Sequence, residues 1–131
     1  MKAGIEMRNI LMVGLGGFFG SVLRYLVSGW AHALFKNSGF PLGTAVVNIA
    51  GCLAIGFLGG WAQNLQTFHA ATRMFLLIGL LGGFTTFSTF SYETLALLQD
   101  GQAFSAFANI GIQVVLGLAA AWLGYGLSNV L

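Results

Sequence analysis

Four long stretches of this chain are apolar and almost free of charge, and short runs of turn-forming residues separate them. The first covers 10–35 and is interrupted only by Arg24. The second covers 42–63, the third 74–98 with Glu93 near its end, and the fourth 104–128. A bilayer core of about 30 Å is crossed by about 20 helical residues, so each stretch predicts one membrane-spanning helix. The gaps hold Lys36-Asn37-Ser38-Gly39 ahead of Pro41, the segment Asn64 to Arg73, and Gln99-Asp100-Gly101-Gln102. The predicted fold class is an all-α membrane protein with four transmembrane helices. It forms a single integral domain over 1–131, with little chain left for an extramembrane unit.

Composition sharpens the picture. Hydrophobic residues make up 57% and charged residues 6% of the chain, with five Lys or Arg and three Asp or Glu. Eight charges cannot cover the surface of a soluble domain, which excludes a soluble enzyme and a nucleic-acid-binding module. The net charge of +2 is scattered rather than clustered, so no nucleic-acid partner is expected. Cys52 is the only cysteine and is read as a small packing residue. Lys2 and Arg8 before an apolar run resemble a signal peptide, but Arg24 leads straight into further apolar residues. This is expected to be a retained first span. Trp30, Trp61, Trp122 and Tyr125 stand towards span ends, where an interfacial belt or simple packing accounts for them.

Four spans place both termini on one side. That side carries Lys2, Arg8 and Arg73 and the other Lys36, with Arg24 inside a helix. So small a bias sets orientation weakly, and insertion in both directions stays open. Twenty residues are glycine, and the pairs Gly16/Gly20, Gly56/Gly60 and Gly79/Gly83 have the spacing that brings membrane helices close. Gly14-Leu15-Gly16-Gly17-Phe18-Phe19 lacks the last glycine of a dinucleotide fingerprint and any βαβ setting. A four-helix unit has little interior for polar groups, so a homo-oligomer, most simply a dimer, is expected.

The segment that carries chemistry is Gly79-Leu80-Leu81-Gly82-Gly83-Phe84-Thr85-Thr86-Phe87-Ser88-Thr89-Phe90-Ser91-Tyr92-Glu93. From Phe84 it repeats every three residues, and residues three apart are neighbours on a helix. Phenylalanine and hydroxyl stripes are therefore predicted side by side for about two turns. By composition alone, the hydroxyls bond back to carbonyls one turn earlier. Five hydroxyls in seven positions, ending at an intramembrane glutamate, suit a wet path better than a dry seam. Gly79, Gly82 and Gly83 either weaken the helix, freeing carbonyls that then need a ligand, or pack an unbroken helix closely.

Asn48 lies mid-span with Thr44 one turn earlier, and in isolation it reads as an interhelical hydrogen bond. Asn109 and Gln113 form a similar polar face in the fourth span. Arg24 is costly in a membrane and should line water or pair with an acid, Glu93 being the candidate. His32 and His69 sit near span ends without partners at metal-ligand spacing. No catalytic grouping is present in the sequence, so no enzyme is expected.

At Leu23-Arg24, Gly43-Thr44 through Asn48 and Gly51, and Gly82-Gly83-Phe84-Thr85-Thr86-Phe87-Ser88-Thr89-Phe90-Ser91 with Glu93, the chain resembles the Fluc (CrcB-type) fluoride channels. Length and four-span layout agree with this. The resemblance implies a passive fluoride-selective channel that exports fluoride and relieves its cytoplasmic toxicity. It implies an antiparallel, dual-topology homodimer in the plasma membrane, a bacterial inner membrane, with the third helix broken mid-membrane. It implies a structural sodium ion at the dimer centre on main-chain carbonyls of Gly82 and Thr85. Phe87 and Phe90 would be the pore rings and Asn48 a nearby donor. Thr44, Ser88, Thr89 and Glu93 would extend the polar path, and Arg24 would favour anions in the vestibule. Asn109, Gln113 and Gly117 depart from the hydroxyls that relatives often carry in the fourth span.

Two other readings compete. A small multidrug-type, proton-coupled exporter would need an acid deep in the bundle, typically in the first span, which here holds Arg24 and no acid. A membrane scaffold would explain the glycines but not the stripe.

Overall fold

The computed structural model describes residues 6–65 and 68–130. Lys2, part of the charge bias, lies outside the described residues, as do Gln66 and Thr67 in the predicted second connection. Helix α1 is Met7–Leu34, α2 is Leu42–Leu65, α3 covers 70–84, α4 is Phe87–Gln99 and α5 is Ala103–Ser128. With α3 and α4 forming one crossing, Ala70–Gln99, four helices are long and apolar enough to cross a membrane. No strand occurs among the described residues.

The connections are short because their residues turn the chain sharply. After α1, Gly39 takes φ +61°, and after α4, Gly101 takes φ +74°, a left-handed conformation that suits glycine. At the second turn, Gly101 N–H reaches the Leu98 carbonyl and Gln102 N–H that of Leu97, which satisfies the end of α4.

The bundle is built from two close seams, α2 on α5 and α1 on α3. Glycine makes both possible. A Cβ at Gly20 would strike the Leu80 carbonyl, and one at Gly83 would meet Gly17 O at 2.7 Å. At the other seam, a Cβ at Gly56 would strike the Ala121 carbonyl and one at Gly124 the Leu53 carbonyl. Such backbone approach is how helices associate where no hydrophobic effect separates them from lipid. Leu15, Phe18, Leu118 and Trp122 stay exposed on the outside, the arrangement a protein dissolved in lipid requires.

The third crossing is not one helix. It opens with an α turn, Ala70–Arg73, widens to a π-helix over Met74–Leu81 and tightens to a last α turn, Gly82–Phe84. The backbone is then extended at Thr85 (φ −85°, ψ 160°) and Thr86 (φ −153°, ψ 112°) before α4 begins. The break therefore follows the glycines instead of falling on them. The stripe expected from Phe84 begins only at Phe87, because the two extended residues put Phe84 on a separate helical segment. Phe84 lies near Gly51 and Gly20 instead.

Candidate functional site

Two consecutive β-branched residues are poor helix formers, and here the surroundings supply what the helix would otherwise give. Thr86 Oγ1 accepts from Thr89 N–H at 3.2 Å and caps α4, a role threonine favours. Asn48, from α2, takes both main-chain groups of Thr86. Its Oδ1 accepts the Thr86 N–H at 2.8 Å, and its Nδ2 donates to the Thr86 carbonyl at 3.1 Å. Polar backbone is thus satisfied inside the membrane without a continuous helix.

The break frees the carbonyls of Gly82 to Thr85 from their helical donors, two of which are redirected to new acceptors. In an unbroken helix the Gly82 carbonyl would receive Thr86 N–H and the Thr85 carbonyl would receive Thr89 N–H. Those donors go instead to Asn48 and to the Thr86 hydroxyl. Gly82 borders the smaller cavity described below. Thr85 O accepts from the Arg24 guanidinium at 3.3 Å. Arg24 and Glu93 line the same cavity without forming an ion pair; Glu93 Oε1 instead accepts from Thr44 Oγ1 at 2.7 Å. Its Oε2 is buried with no hydrogen-bond partner among the described residues.

The candidate residues divide between two cavities. Arg24, Thr44, Thr89 and Glu93 line the larger, of about 790 Å³, together with His32 and Lys36. Asn48, Phe87 and Phe90 line the smaller, of about 390 Å³, with Gly82, Thr85 and Gln113. Thr86 borders both. The Phe87 and Phe90 rings lie 5.5 Å apart and tilted by 46°. Phe87 is 79% exposed in the single chain, so this cavity lacks a wall on that side. Ser88 lines neither cavity; its hydroxyl lies 3.3 Å from that of Thr86.

A family model described as CrcB-like protein, Camphor Resistance (CrcB), matches residues 11–125. The chain belongs to the CrcB-like family. A protein named fluoride-specific ion channel FluC from Nitratidesulfovibrio vulgaris is 47% identical to this CrcB-like chain, over 92% of it and 96% of the relative. Fluoride-specific ion channel FluC 1 from Methanosarcina acetivorans is 46% identical, over 90% and 88%. A FluC from Geobacter metallireducens is 43% identical, over 90% and 94%. The CrcB-like chain is accordingly an integral membrane protein.

Thr86, although inside the third-span motif, and Thr94, outside it, carry no site role in the sequence reading. Thr86 looks like one more member of a hydroxyl stripe until the break is known. Thr94 shows its role only through Asn109, whose Nδ2 donates to Thr94 Oγ1 at 2.9 Å. From Thr85 onward the hydroxyls of this crossing fall into two groups. Thr85, Ser91 and Thr94 bond back to the carbonyls of Leu81, Phe87 and Phe90. Thr86, Ser88 and Thr89 turn toward one another.

Proposed function

We propose that this chain is the subunit of a passive, fluoride-selective channel that lets fluoride leave the cytoplasm of a bacterium across its inner membrane and so relieves its toxicity. The observation that carries the reading is the Phe87–Phe90 ring pair, which shares a cavity with Asn48 immediately after a break in the third crossing. Relatives named as fluoride-specific channels along nearly the whole chain support the same ion.

Moving a bare ion into a low-dielectric medium costs on the order of tens of kcal/mol. Fluoride is small and holds its water tightly, so the path must return that solvation in steps. Aromatic edges carry partial positive charge. Phe87 and Phe90 therefore solvate the anion weakly enough to release it, and Asn48 offers an amide hydrogen beside them. No charged side chain lines this smaller cavity among the described residues, so nothing there traps the ion. Thr44, Ser88, Thr89 and Glu93 extend the polar path, and Arg24 draws anions into the larger cavity, which acts as the vestibule.

The cavity open at Phe87 calls for a second surface. A second copy of the chain in the opposite orientation supplies it, which gives an antiparallel, dual-topology homodimer; the small loop-charge bias supports that arrangement. The released carbonyls of Gly82 and Thr85 fit a structural sodium ion at the dimer centre, since hard cations take oxygen ligands. Bound there, sodium would supply fixed positive charge near the anion path.

The test is fluoride release from liposomes containing the purified protein, with chloride release measured in parallel. Uncoupled flux that strongly favours fluoride supports the channel. Flux that requires a proton gradient would instead establish the exporter, and no flux the scaffold.

A further inference from the structure

One face of α1 runs along the larger cavity. Ser21, Arg24, Ser28 and His32 all line it, and their spacing of three or four residues aligns them on the helix. Arg24 stands at the deep end, its guanidinium on the Thr85 carbonyl beside the break. His32 is exposed in the last turn of α1, eight residues and so about 12 Å further along the axis. Nothing at metal-ligand spacing accompanies His32 in the sequence. What the fold puts around it is charge.

The charges lining this cavity balance. Arg24 and Lys36, from α1 and the turn after it, are positive; Glu93 of α4 and Asp100, just past α4, are negative when ionised. From α2 come Thr44 and Gly43, which carry no charge, and Tyr25 on α1 adds a phenol. With both carboxylates ionised, two positive charges meet two negative ones. Histidine is the side chain whose ordinary charge change falls between pH 5 and 8. Among the described lining residues, His32 is the only one of its kind.

We propose that His32 decides whether the vestibule is electrically balanced or net positive, and so makes fluoride entry pH-dependent. This rests on the fluoride-channel reading. Neutral His32 leaves the cavity balanced; protonated His32 leaves one net positive charge at its mouth. Glu93 does not reverse the sign, because protonating His32 adds one positive charge whether that carboxyl is ionised or not. An anion arriving from water meets His32 before Arg24, and low-dielectric walls concentrate the field in such a cleft. The step acts on capture. Protonation lowers the fluoride concentration that half-saturates efflux, while the maximal rate, set at Phe87 and Phe90, is unchanged.

The experiment is initial fluoride efflux from liposomes of zwitterionic lipid containing the full chain as wild type, His32→Gln and His32→Lys. The same pH is set inside and out, from about 8 down to about 5.5, the interval in which histidine charges. Subtracting protein-free liposomes at each pH removes the leak of neutral hydrogen fluoride. At subsaturating fluoride the wild type is expected to speed up roughly two- to fivefold as pH falls, the order of one unit charge acting across a water-filled mouth. His32→Gln should keep the slow rate throughout and His32→Lys the fast one. A wild-type rate that ignores pH, or His32→Gln with the wild-type pH dependence, overturns the assignment. Wild-type protein that releases no fluoride at any pH overturns the channel reading itself. If the variants do not assemble, the wild type decides alone. An impermeant salt at about 1 M shortens the Debye length to about 3 Å and is expected to flatten the pH step; a step of full size there overturns the proposal.

Discussion

Asn48 holds Thr86 by both main-chain groups, accepting its N–H at 2.8 Å and donating to its carbonyl at 3.1 Å. One amide side chain thus stands in for the helical partners that the break removes. Asn48→Asp keeps the acceptor for Thr86 N–H but loses the donors to Thr86 O and Gln113. It also brings negative charge to an anion path. Assembled protein is expected with fluoride efflux reduced at least roughly 100-fold, the order of two lost buried bonds. Asn48→Leu removes every bond and should also lower stability by about 2–4 kcal/mol, read as thermal unfolding in detergent.

The ring pair makes a separate prediction. Phe87→Ile and Phe90→Ile preserve apolar volume but remove the positive ring edge that faces the anion. Each is expected to cripple fluoride efflux while leaving size-exclusion elution unchanged. Normal conduction by both variants would remove the rings from the path.

The crossings were legible because lipid demands long uncharged stretches, and those are visible without any knowledge of packing. The position of the break was not. Gly79, Gly82 and Gly83 drew attention to the right turn of the third crossing, yet Gly79 and Gly83 serve contacts with Val13, Gly16 and Gly17 on α1. The break falls at Thr85 and Thr86 because Asn48, 38 positions earlier in the chain, supplies substitute bonds. Local propensity does not encode so distant a partner. A threonine able to cap a helix and a mid-span asparagine were the available cues, and only the fold connects them. Likewise Asn109 and Gln113, four apart, announced a polar face, while Thr94, the anchor of that face, looked like an ordinary helical threonine.

Close seams should be intolerant of added volume where backbone lies opposite. Gly20→Ala drives a methyl group into the Leu80 carbonyl and the Phe84 N–H. It is expected to lower stability by about 1–3 kcal/mol, the usual cost of overpacking. Gly111→Ala, with nothing within 4 Å of its added Cβ, should unfold like the wild type. The pair separates a packing effect from a general dislike of alanine.

Arg24 and the proposed sodium ion meet at one atom. The guanidinium donates to Thr85 O at 3.3 Å, and that carbonyl is one of the two assigned to sodium. Two cations so close repel each other, and the guanidinium also occupies one of the carbonyl's lone pairs. Replacing sodium with N-methyl-D-glucamine on both sides of the membrane is expected to lower wild-type efflux. Arg24→Gln removes the competing charge, so its efflux should persist to sodium concentrations lower by roughly three- to tenfold, as expected for unit charges at an effective dielectric near 20 after partial screening. Its maximal efflux should nevertheless fall, because the vestibule has lost the cation beside the break. The two effects have opposite signs, and a loss of protein quality cannot produce both. Efflux that ignores sodium in the wild type would detach Gly82 and Thr85 from any metal role. An unchanged sodium dependence in Arg24→Gln would mean that the ion does not share the Thr85 carbonyl.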